Sequence, residues 1–236
     1  NTFNMYCHRE PRFYLTVVWN GQWFKWENRN TNFLYGQPDG GPTHDAPQNG
    51  YLNRSRVSLD YIPRDNNHPY RPAIIFRMAE AYLSYAEALN ESSERMSHKQ
   101  EILDNLNKIR HRAGIAEYGT GTDENGFTRI KINFSDQKEV RRLIHKERRV
   151  EFVGEGVRYH DLRRWKTAHY GIGNLNEQGE NPDWGVNGPD YGMNYYGTEY
   201  TDQGDNAFFK RTKYMDRVYP RKFYWYPIHQ SEIDKD

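Results

Sequence analysis

The sequence predicts a mainly α-helical fold built from paired helices, with a loop-rich face and minor β-hairpin content. Apolar residues recur at helical spacing in three segments between residues 73 and 153. Glycine, proline and asparagine punctuate the chain on both sides of these segments. We therefore divide the chain into a loop-rich part at 1–70, a helical repeat core at 71–170, and an irregular aromatic tract with a C-terminal segment at 171–236.

The first part contains two strand-like runs. Residues 13–19 read FYLTVVW and residues 23–26 read WFKW, and both runs are rich in aromatic or β-branched side chains. Between them, Asn20-Gly21 is typical of a type I′ turn. This pattern predicts a hairpin, followed by a loop over 36–50.

Two helices open the helical core. In the first, over 73–91, Pro72 suits the first turn, and apolar or small residues recur at Ile75, Met78, Tyr82, Ala86 and Leu89. In the second, Ser97 and Gln100 form a capping box, and Gly114 marks the C-terminal end. Paired helices joined by a short turn are the unit of helical-repeat solenoids.

A third helix follows a loop at 117–134. Asp136 is its predicted N-cap, and the helix runs to about Val153. Glycines at 154 and 156 interrupt it, and a short helical turn resumes at about Arg158.

Acidic and basic residues alternate through 145–165. Glu147, Glu151 and Glu155 recur every four residues, so one continuous helix would carry them as a stripe. Carboxylate pairs perform acid–base chemistry, so a glycoside hydrolase with its pair among these three is one interpretation. The interleaved arginines favour a structural ion-pair network instead, because they hold carboxylates ionised. The predicted network consists of Glu147, Arg148, Glu151, Glu155, Arg158, Asp161 and Arg164.

Composition limits the possible functions. The 236 residues include 33 basic and 32 acidic side chains, and the net charge of +1 provides no field for nucleic acid or anionic lipid. Mean hydropathy is −1.10, yet 15% of the residues are aromatic and 19 are tyrosines. A folded chain with this composition presents a polar, tyrosine-rich surface suited to polar ligands with flat faces.

Two groups of aromatic residues are candidate ligand-binding sites. In the first, Trp23 and Trp26 place flat apolar faces beside hydrogen-bonding side chains, whereas Trp19 is assigned to the core. The predicted site residues here are Trp23, Trp26, Asn20, Gln22 and Arg29. The second group, represented by Trp184 and Tyr195, lies in the tract 170–206, which either binds ligand, covers the helices or meets a partner protein.

No metal or cofactor site is predicted. The couple His160-Asp161 is typical of a structural histidine, because no second histidine lies at ligand spacing. The loop at 123–126 supplies oxygen ligands but lacks the closing glutamate of an EF-hand.

Four blocks in the chain resemble, in order and spacing, the C-terminal half of the SusD/RagB family. They read RPAIIFRMAEAYLSYAEALNE at 71–91, LNKIRHRAG at 106–114, ERRVEFVGEGVRYHDLRRW at 147–165 and YPIHQSEI at 226–233. One departure is His229, which stands where the family usually carries proline.

The resemblance implies tetratricopeptide-like helix pairs, ligand-binding loops on one face, and no catalysis. It also implies a lipoprotein on the cell-surface side of the outer membrane, whose lipid anchor lies outside this chain. Such a protein captures an oligosaccharide, or in the RagB branch a peptide, and delivers it to a SusC-like TonB-dependent β-barrel transporter. A helical-repeat scaffold that binds only protein partners is the other alternative, and it predicts loops poor in tryptophan.

Overall fold

The computed structural model describes residues 2–55, 57–58, 65–66, 69–70, 73–171 and 185–235, apart from the side chain of Trp26. Within them the predicted mainly helical fold is confirmed. The α-helices are α1 (Pro11–Thr16), α2 (Met78–Glu91), α3 (Lys99–Arg112), α4 (Gln137–Glu151), α5 (Val157–Arg164) and α6 (Gln230–Ile233). The strands are β1 (Val17–Trp19), β2 (Trp23–Phe24), β3 (Arg29–Asn30), β4 (Tyr51–Asn53), β5 (Gly188–Gly192) and β6 (Thr212–Arg217). None of these helices has both the length and the apolar character of a membrane span.

Helix α2 begins at Met78, five residues later than predicted. Residues 73–77 are not helical, and Ile74 and Ile75 are 68% and 96% exposed. Arg77 is extended at φ −142° and ψ 155°, and its guanidinium bonds Glu151 and Glu155. These tertiary bonds fix the backbone before the helix, so helical spacing alone placed the start too early.

Helix α3 ends as predicted but begins differently. Its N-cap residue is His98, which makes no side-chain cap bond, and Ser97 instead donates its hydroxyl to the Glu94 carbonyl over 2.7 Å. The predicted capping box is therefore wrong. At the other end, Gly114 has φ +65°, a backbone conformation that glycine adopts without steric cost.

Helices α4 and α5 follow the prediction closely. The Asp136 carboxylate caps α4 by accepting the backbone N–H groups of Lys138 and Glu139 at 2.9 and 3.1 Å. Gly154 and Gly156 both have positive φ, at +78° and +82°, and separate α4 from α5. Because the chain turns there, Glu155 does not lie on the α4 stripe.

The main core lies where α2 packs against α3 and α4. Its fully buried side chains are Leu83, Ala86, Ile102, Leu106, Val140 and Ile144. Between α2 and α3, Ala86, Leu106 and Ile109 are buried. Tyr82 is half-buried, and the Lys108 ammonium lies 4.5 Å from its ring centre.

The predicted hairpin over 13–26 is wrong. Residues 13–16 belong to α1, β1 pairs with β4, and β2 pairs with β3, all antiparallel. Pro11 occupies the first helical position of α1, where a missing N–H costs nothing. Arg12 on the same helix bonds Glu147 and Glu151, so packing against α4 overrides the strand-like composition.

A second, aromatic core lies beneath these short strands. Tyr6, Phe33 and Phe208 are buried, and Trp19 packs against the cluster with its ring 5.4 Å from Phe13. The assignment of Trp19 to the core is confirmed.

Strands β5 and β6 form an antiparallel ribbon in the tract expected to be irregular. The composition did not indicate this ribbon, because Gly188, Pro189 and Gly192 all have low strand propensity. A register shift between Asp190 and Tyr191 adds to the irregular pattern.

We expect Ala86→Leu to destabilise the fold by about 1–3 kcal/mol, since Ala86 is fully buried in α2 and extra methylenes overpack the core. The control is Ala88→Leu, which changes an exposed position on the same helix. Urea denaturation measures both variants, and an Ala86→Leu variant as stable as the parent would contradict the packing described here.

Candidate functional site

The short β2–β3 hairpin presents one large aromatic ring to solvent. Trp23 on β2 is 58% exposed and pairs in register with Asn30 on β3. Trp26 lies in the short 3-10 helix Lys25–Glu27 that joins the strands, and its side chain is outside the described residues. The hairpin therefore offers the Trp23 ring as a flat apolar face.

The polar residues predicted beside Trp23 are largely engaged within the protein. Asn20 is 1% exposed, and its amide oxygen accepts the backbone N–H of Phe33 at 2.7 Å. The prediction that Asn20 binds ligand is therefore wrong, because its side chain is buried and bonds the backbone. Arg29 bonds Asp39 through two nitrogens, at 2.6 and 2.8 Å. Gln22 is half-buried.

A cluster of tyrosines forms a second aromatic surface. Tyr195 lies 6.0 Å from Tyr35 and 5.1 Å from Tyr196, measured between ring centres. Tyr196 is 70% exposed, whereas Tyr35 and Tyr195 are half-buried. Gly41 lies under the Tyr195 ring, where a Cβ would come within 2.6 Å of a ring carbon. Trp184, predicted with this group, lies outside the described residues.

Backbone contacts bring the hairpin and the tyrosine cluster to one region. The backbone N–H of Tyr35 bonds the Gly197 carbonyl at 2.8 Å. At the base of the hairpin, a Cβ on Gly21 would lie 3.3 Å from the Tyr200 hydroxyl. The two predicted aromatic groups are thus neighbours, although more than 150 residues separate them in sequence. We call Trp23, Tyr35, Tyr195, Tyr196 and Tyr200 the aromatic surface.

Sequence reasoning missed Tyr200, which connects the two groups. Its ring lies 4.9 Å from Phe209, its hydroxyl accepts the Phe3 N–H, and the residue is 44% exposed. The repeated tyrosines at 191, 195, 196 and 200 were a compositional signal. The contact with Gly21 depends on long-range packing and has no local signature.

The charged segment forms a dense set of ion pairs around α4. Glu147, 3% exposed, bonds Arg12 and Arg110 at 2.7 and 2.9 Å. Glu151, 7% exposed, bonds Arg12, Arg77 and Arg112. The arginines therefore come from α1, from the segment before α2, and from α3, whereas the sequence had suggested Arg148, Arg158 and Arg164.

A second set of ion pairs joins α2, α4 and α5. Arg148 bonds both oxygens of Asp161 at 2.9 Å. Arg164 bonds Asp161 at 3.0 Å and both oxygens of Glu87 at 2.5 Å. Glu87 also accepts the Trp165 indole N–H at 2.8 Å. Sequence reasoning missed Glu87 because it lies about 75 positions from its partners.

Arg158 differs from the other arginines of the segment. It is half-buried, and burial together with the charge of Arg149 lowers its pKa to about 10, whereas Asp161 opposes this shift. An arginine pKa of this value leaves the guanidinium charged at neutral pH.

The pKa of Glu151 argues against the hydrolase interpretation. A cleft of about 450 Å³ lies against Glu151 and Glu155, and Arg12, Arg77 and Arg112 line it as well. Burial would raise the pKa of Glu151, but the Arg77 guanidinium and its neighbours hold that pKa below the ordinary value. Glu151 is thus kept ionised, whereas a hydrolytic acid needs a raised pKa.

In the 123–126 loop, the carboxylate of Asp123 forms hydrogen bonds with backbone groups of the protein. The Asp123 carboxylate accepts the backbone N–H groups of Glu117, Asn125 and Phe127, all within 3.0 Å. Burial raises the pKa of Asp123, but these bonds outweigh it and lower the pKa overall. The oxygens that suggested a cation site thus stabilise the loop.

The SusD family model matches residues 1–236, the whole chain. A SusD-like protein of Formosa agariphila is 32% identical over 109 residues, which are 46% of this chain and 18% of that protein. A second SusD-like protein of the same organism is 32% identical over 103 residues, 44% of this chain and 19% of the other. The chain thus matches less than a fifth of these relatives' length.

Solved structures show the same fold. A SusD-like protein of Bacteroides fragilis superposes with a TM-score of 0.67 at 28% identity, over 100% of this chain and 38% of the other. A SusD-like carbohydrate binding protein of the same organism gives a TM-score of 0.59 at 22% identity, over 97% of this chain and 41% of the other. The second likeness, at this identity, shows the fold alone.

We expect stability to decrease between pH 7 and pH 5 because of His145. Burial lowers its pKa despite the nearby Glu87, and its ring stacks on Trp165 at 3.5 Å. Since the unfolded chain takes up this proton near pH 6.5, acidification favours unfolding in this window. The carboxylates Glu87 and Glu151, whose pKa values are lowered, lose their contribution only at more acidic pH, below the usual glutamate value.

The variant His145→Phe keeps a ring against Trp165 and cannot titrate. Urea denaturation at half-unit pH steps should give it a flatter slope between pH 7 and 5 than the parent. The exposed His160→Phe is the matched control. Equal slopes in the parent and His145→Phe would show that His145 does not determine this dependence.

Proposed function

Because the chain belongs to the SusD family, we propose that it forms part of a cell-surface binding protein that captures glycan nutrients. The aromatic surface carries this proposal. It combines exposed rings with peptide and phenol groups, and sugar rings stack their C–H faces on such rings while their hydroxyls form hydrogen bonds.

Two features of the aromatic surface support a preformed ligand site. The β2–β3 hairpin is fixed by the Arg29–Asp39 pair, and the tyrosine cluster rests on Gly41. Trp23 and Tyr196 are the most exposed rings of the surface, at 58% and 70%. A preformed platform binds a ligand with a small ordering cost, which supports the stacking of sugar rings on it.

The hydrolase alternative has little support from the carboxylates. Arginines surround Glu147 and Glu151, and both are buried. We therefore propose that the protein is not an enzyme and that the ion pairs are structural. A scaffold that binds only proteins is less favoured as well, because Trp23 lies exposed in a loop-rich part of the chain.

Delivery of the ligand to a SusC-like TonB-dependent transporter completes the proposal. This step rests on the family rather than on a contact in the structure. We place the protein on the outer face of the outer membrane, as a lipid-anchored protein. We propose that the chain is the C-terminal half of a single SusD-like domain.

We expect Trp23→Ala and Tyr196→Ala each to weaken glycan binding about threefold to tenfold, because a stacking contact contributes roughly 0.5–1.5 kcal/mol. Isothermal titration with hexasaccharides of α-1,4-glucan, β-1,4-glucan, xylan, mannan and uronic acids identifies a ligand and measures the loss. Peptides of equal length form the parallel set. Thermal melts should match the parent, since both rings face solvent.

The control variant is Trp225→Ala, an 80% exposed tryptophan in the C-terminal segment outside the aromatic surface. Unchanged affinity in Trp23→Ala and Tyr196→Ala would place the site elsewhere in the protein. Binding of peptides but no saccharide would contradict the glycan proposal.

A further inference from the structure

Positive charge is concentrated at one end of the chain. Residues 210–222 contain six lysines and arginines and one aspartate. The rest of the chain holds 27 of the 33 basic and 31 of the 32 acidic side chains, so its net charge is −4. The overall charge of +1 is therefore the sum of a basic segment at 210–222, which includes strand β6 and its flanks, and an acidic remainder.

The ribbon presents these cations to solvent. Every residue from 213 to 218 is exposed, including Lys213 and Arg217. Tyr191 on β5 pairs in register with Lys213 on β6, and residues opposite each other share a face. The Arg211 guanidinium lies 4.3 Å from the centre of the Tyr191 ring. One tyrosine, 45% exposed, is therefore flanked by two cations.

Three carboxylates pair with cations of the ribbon. Lys210 pairs with Asp205 at 2.8 Å and Lys213 with Asp216 at 2.9 Å. Arg217 pairs with Asp190. Exposed ion pairs of this kind are weak, so Lys213 can exchange its partner for an anionic ligand. Arg211 contacts an aromatic ring, and a guanidinium stacked in this way keeps its N–H groups at the ring edge for an outside acceptor.

The cations lie next to the aromatic surface. Strand β5 ends at Gly192, and Tyr195 and Tyr196 follow after Met193 and Asn194, which are buried. At about 3.3 Å per residue, Tyr191 is within roughly 13 Å of Tyr195 along the chain. A short oligosaccharide extends over this distance, so one ligand can contact both.

We propose that Arg211, Lys213 and Tyr191 form a subsite for an anionic group on the glycan, either the carboxylate of a uronic acid or a sulfate ester. The inference rests on the proposed glycan-binding function and specifies its ligand as an acidic glycan. Guanidinium binds carboxylate and sulfate with paired hydrogen bonds, and the lysine adds a point charge. The Tyr191 ring supplies an apolar face beside these charges.

The test compares charged and neutral ligands on the full chain. The probes are hexamers of α-1,4-galacturonic acid and alginate, which carry carboxylates alone, and of κ-carrageenan, which carries sulfate esters alone. The neutral partner is the carboxyl-reduced galacturonic hexamer. We expect an acidic hexamer to bind, and the double variant Arg211→Gln/Lys213→Gln to weaken it about tenfold. Raising the salt from 0.05 to 0.5 M should weaken acidic but not neutral binding. The carboxylate and sulfate probes distinguish the two anions.

The matched control is Arg142→Gln/Lys146→Gln, which removes one arginine and one lysine from exposed positions on α4. It should leave every affinity unchanged. Acidic binding that is equally strong in Arg211→Gln/Lys213→Gln would overturn the inference. Equal affinity for a single-stranded DNA hexamer would overturn it as well, by showing a non-specific cationic patch.

The outcomes separate this inference from the function on which it rests. If neutral hexasaccharides bind and acidic ones do not, the subsite is wrong and the glycan-binding proposal stands. If neither class binds, the glycan-binding proposal fails, and the subsite fails with it.

Discussion

The structure depends on two buried carboxylates on α4, Glu147 and Glu151, and on the arginines that pair with them. Isolated charges in a protein interior are costly, so Glu147 and Glu151 require cationic partners close by. Arg12 from α1, Arg77 from the segment before α2, and Arg110 and Arg112 from α3 supply them. One helix face therefore ties together three segments that are distant in sequence.

The need to pair these carboxylates with arginines accounts for local backbone features that residue propensities do not explain. Arg77 is extended, and α2 begins immediately after it, at Met78. The strand-like residues 13–16 form a helix that carries Arg12 to α4. On α5, Asp161 and Arg164 repeat the arrangement with Arg148 and Glu87. Backbone conformation at these points follows the ion pairs.

Much of the fold was readable from the sequence. The Asp136 cap, the turn at Gly114 and the break at Gly154 and Gly156 have local signatures, and all three appear in the structure. Ala86, Leu106 and Ile109 reach the core because their spacing matches a helix period. These features depend on neighbouring residues, so a single sequence reveals them.

The rest depends on contacts between distant residues. Strand pairing of β1 with β4 instead of β2 has no local marker, and neither does the burial of Asn20 against Phe33. Trp23 was predicted to bind ligand, but the nearness of Gly21, at the base of its hairpin, to Tyr200 became visible only in three dimensions. The partners of the glutamates were likewise assigned to nearby arginines, because sequence patterns reveal charges but not which elements meet.

The structural division assigns stability and recognition to different parts of the chain. Ion pairs hold the helices together, whereas the aromatic surface and the basic ribbon lie outside the helical core, in 1–70 and 171–236. Carboxylates held ionised by arginine are suited to the first role and poorly suited to proton transfer. A binding protein built in this way changes its ligand preference through loop residues while its helical core stays fixed.

The central claim is that the α4 carboxylates and their arginines form a coupled structural clamp. A double-mutant cycle with Arg77→Gln and Glu151→Gln, measured by urea denaturation, tests it most directly. We predict a coupling energy of about 1–3 kcal/mol, as is found for contacting residues in one network. The exposed pair Lys210–Asp205 should couple by less than about 1 kcal/mol. A coupling for Arg77 and Glu151 no larger than that of the exposed pair would contradict the account.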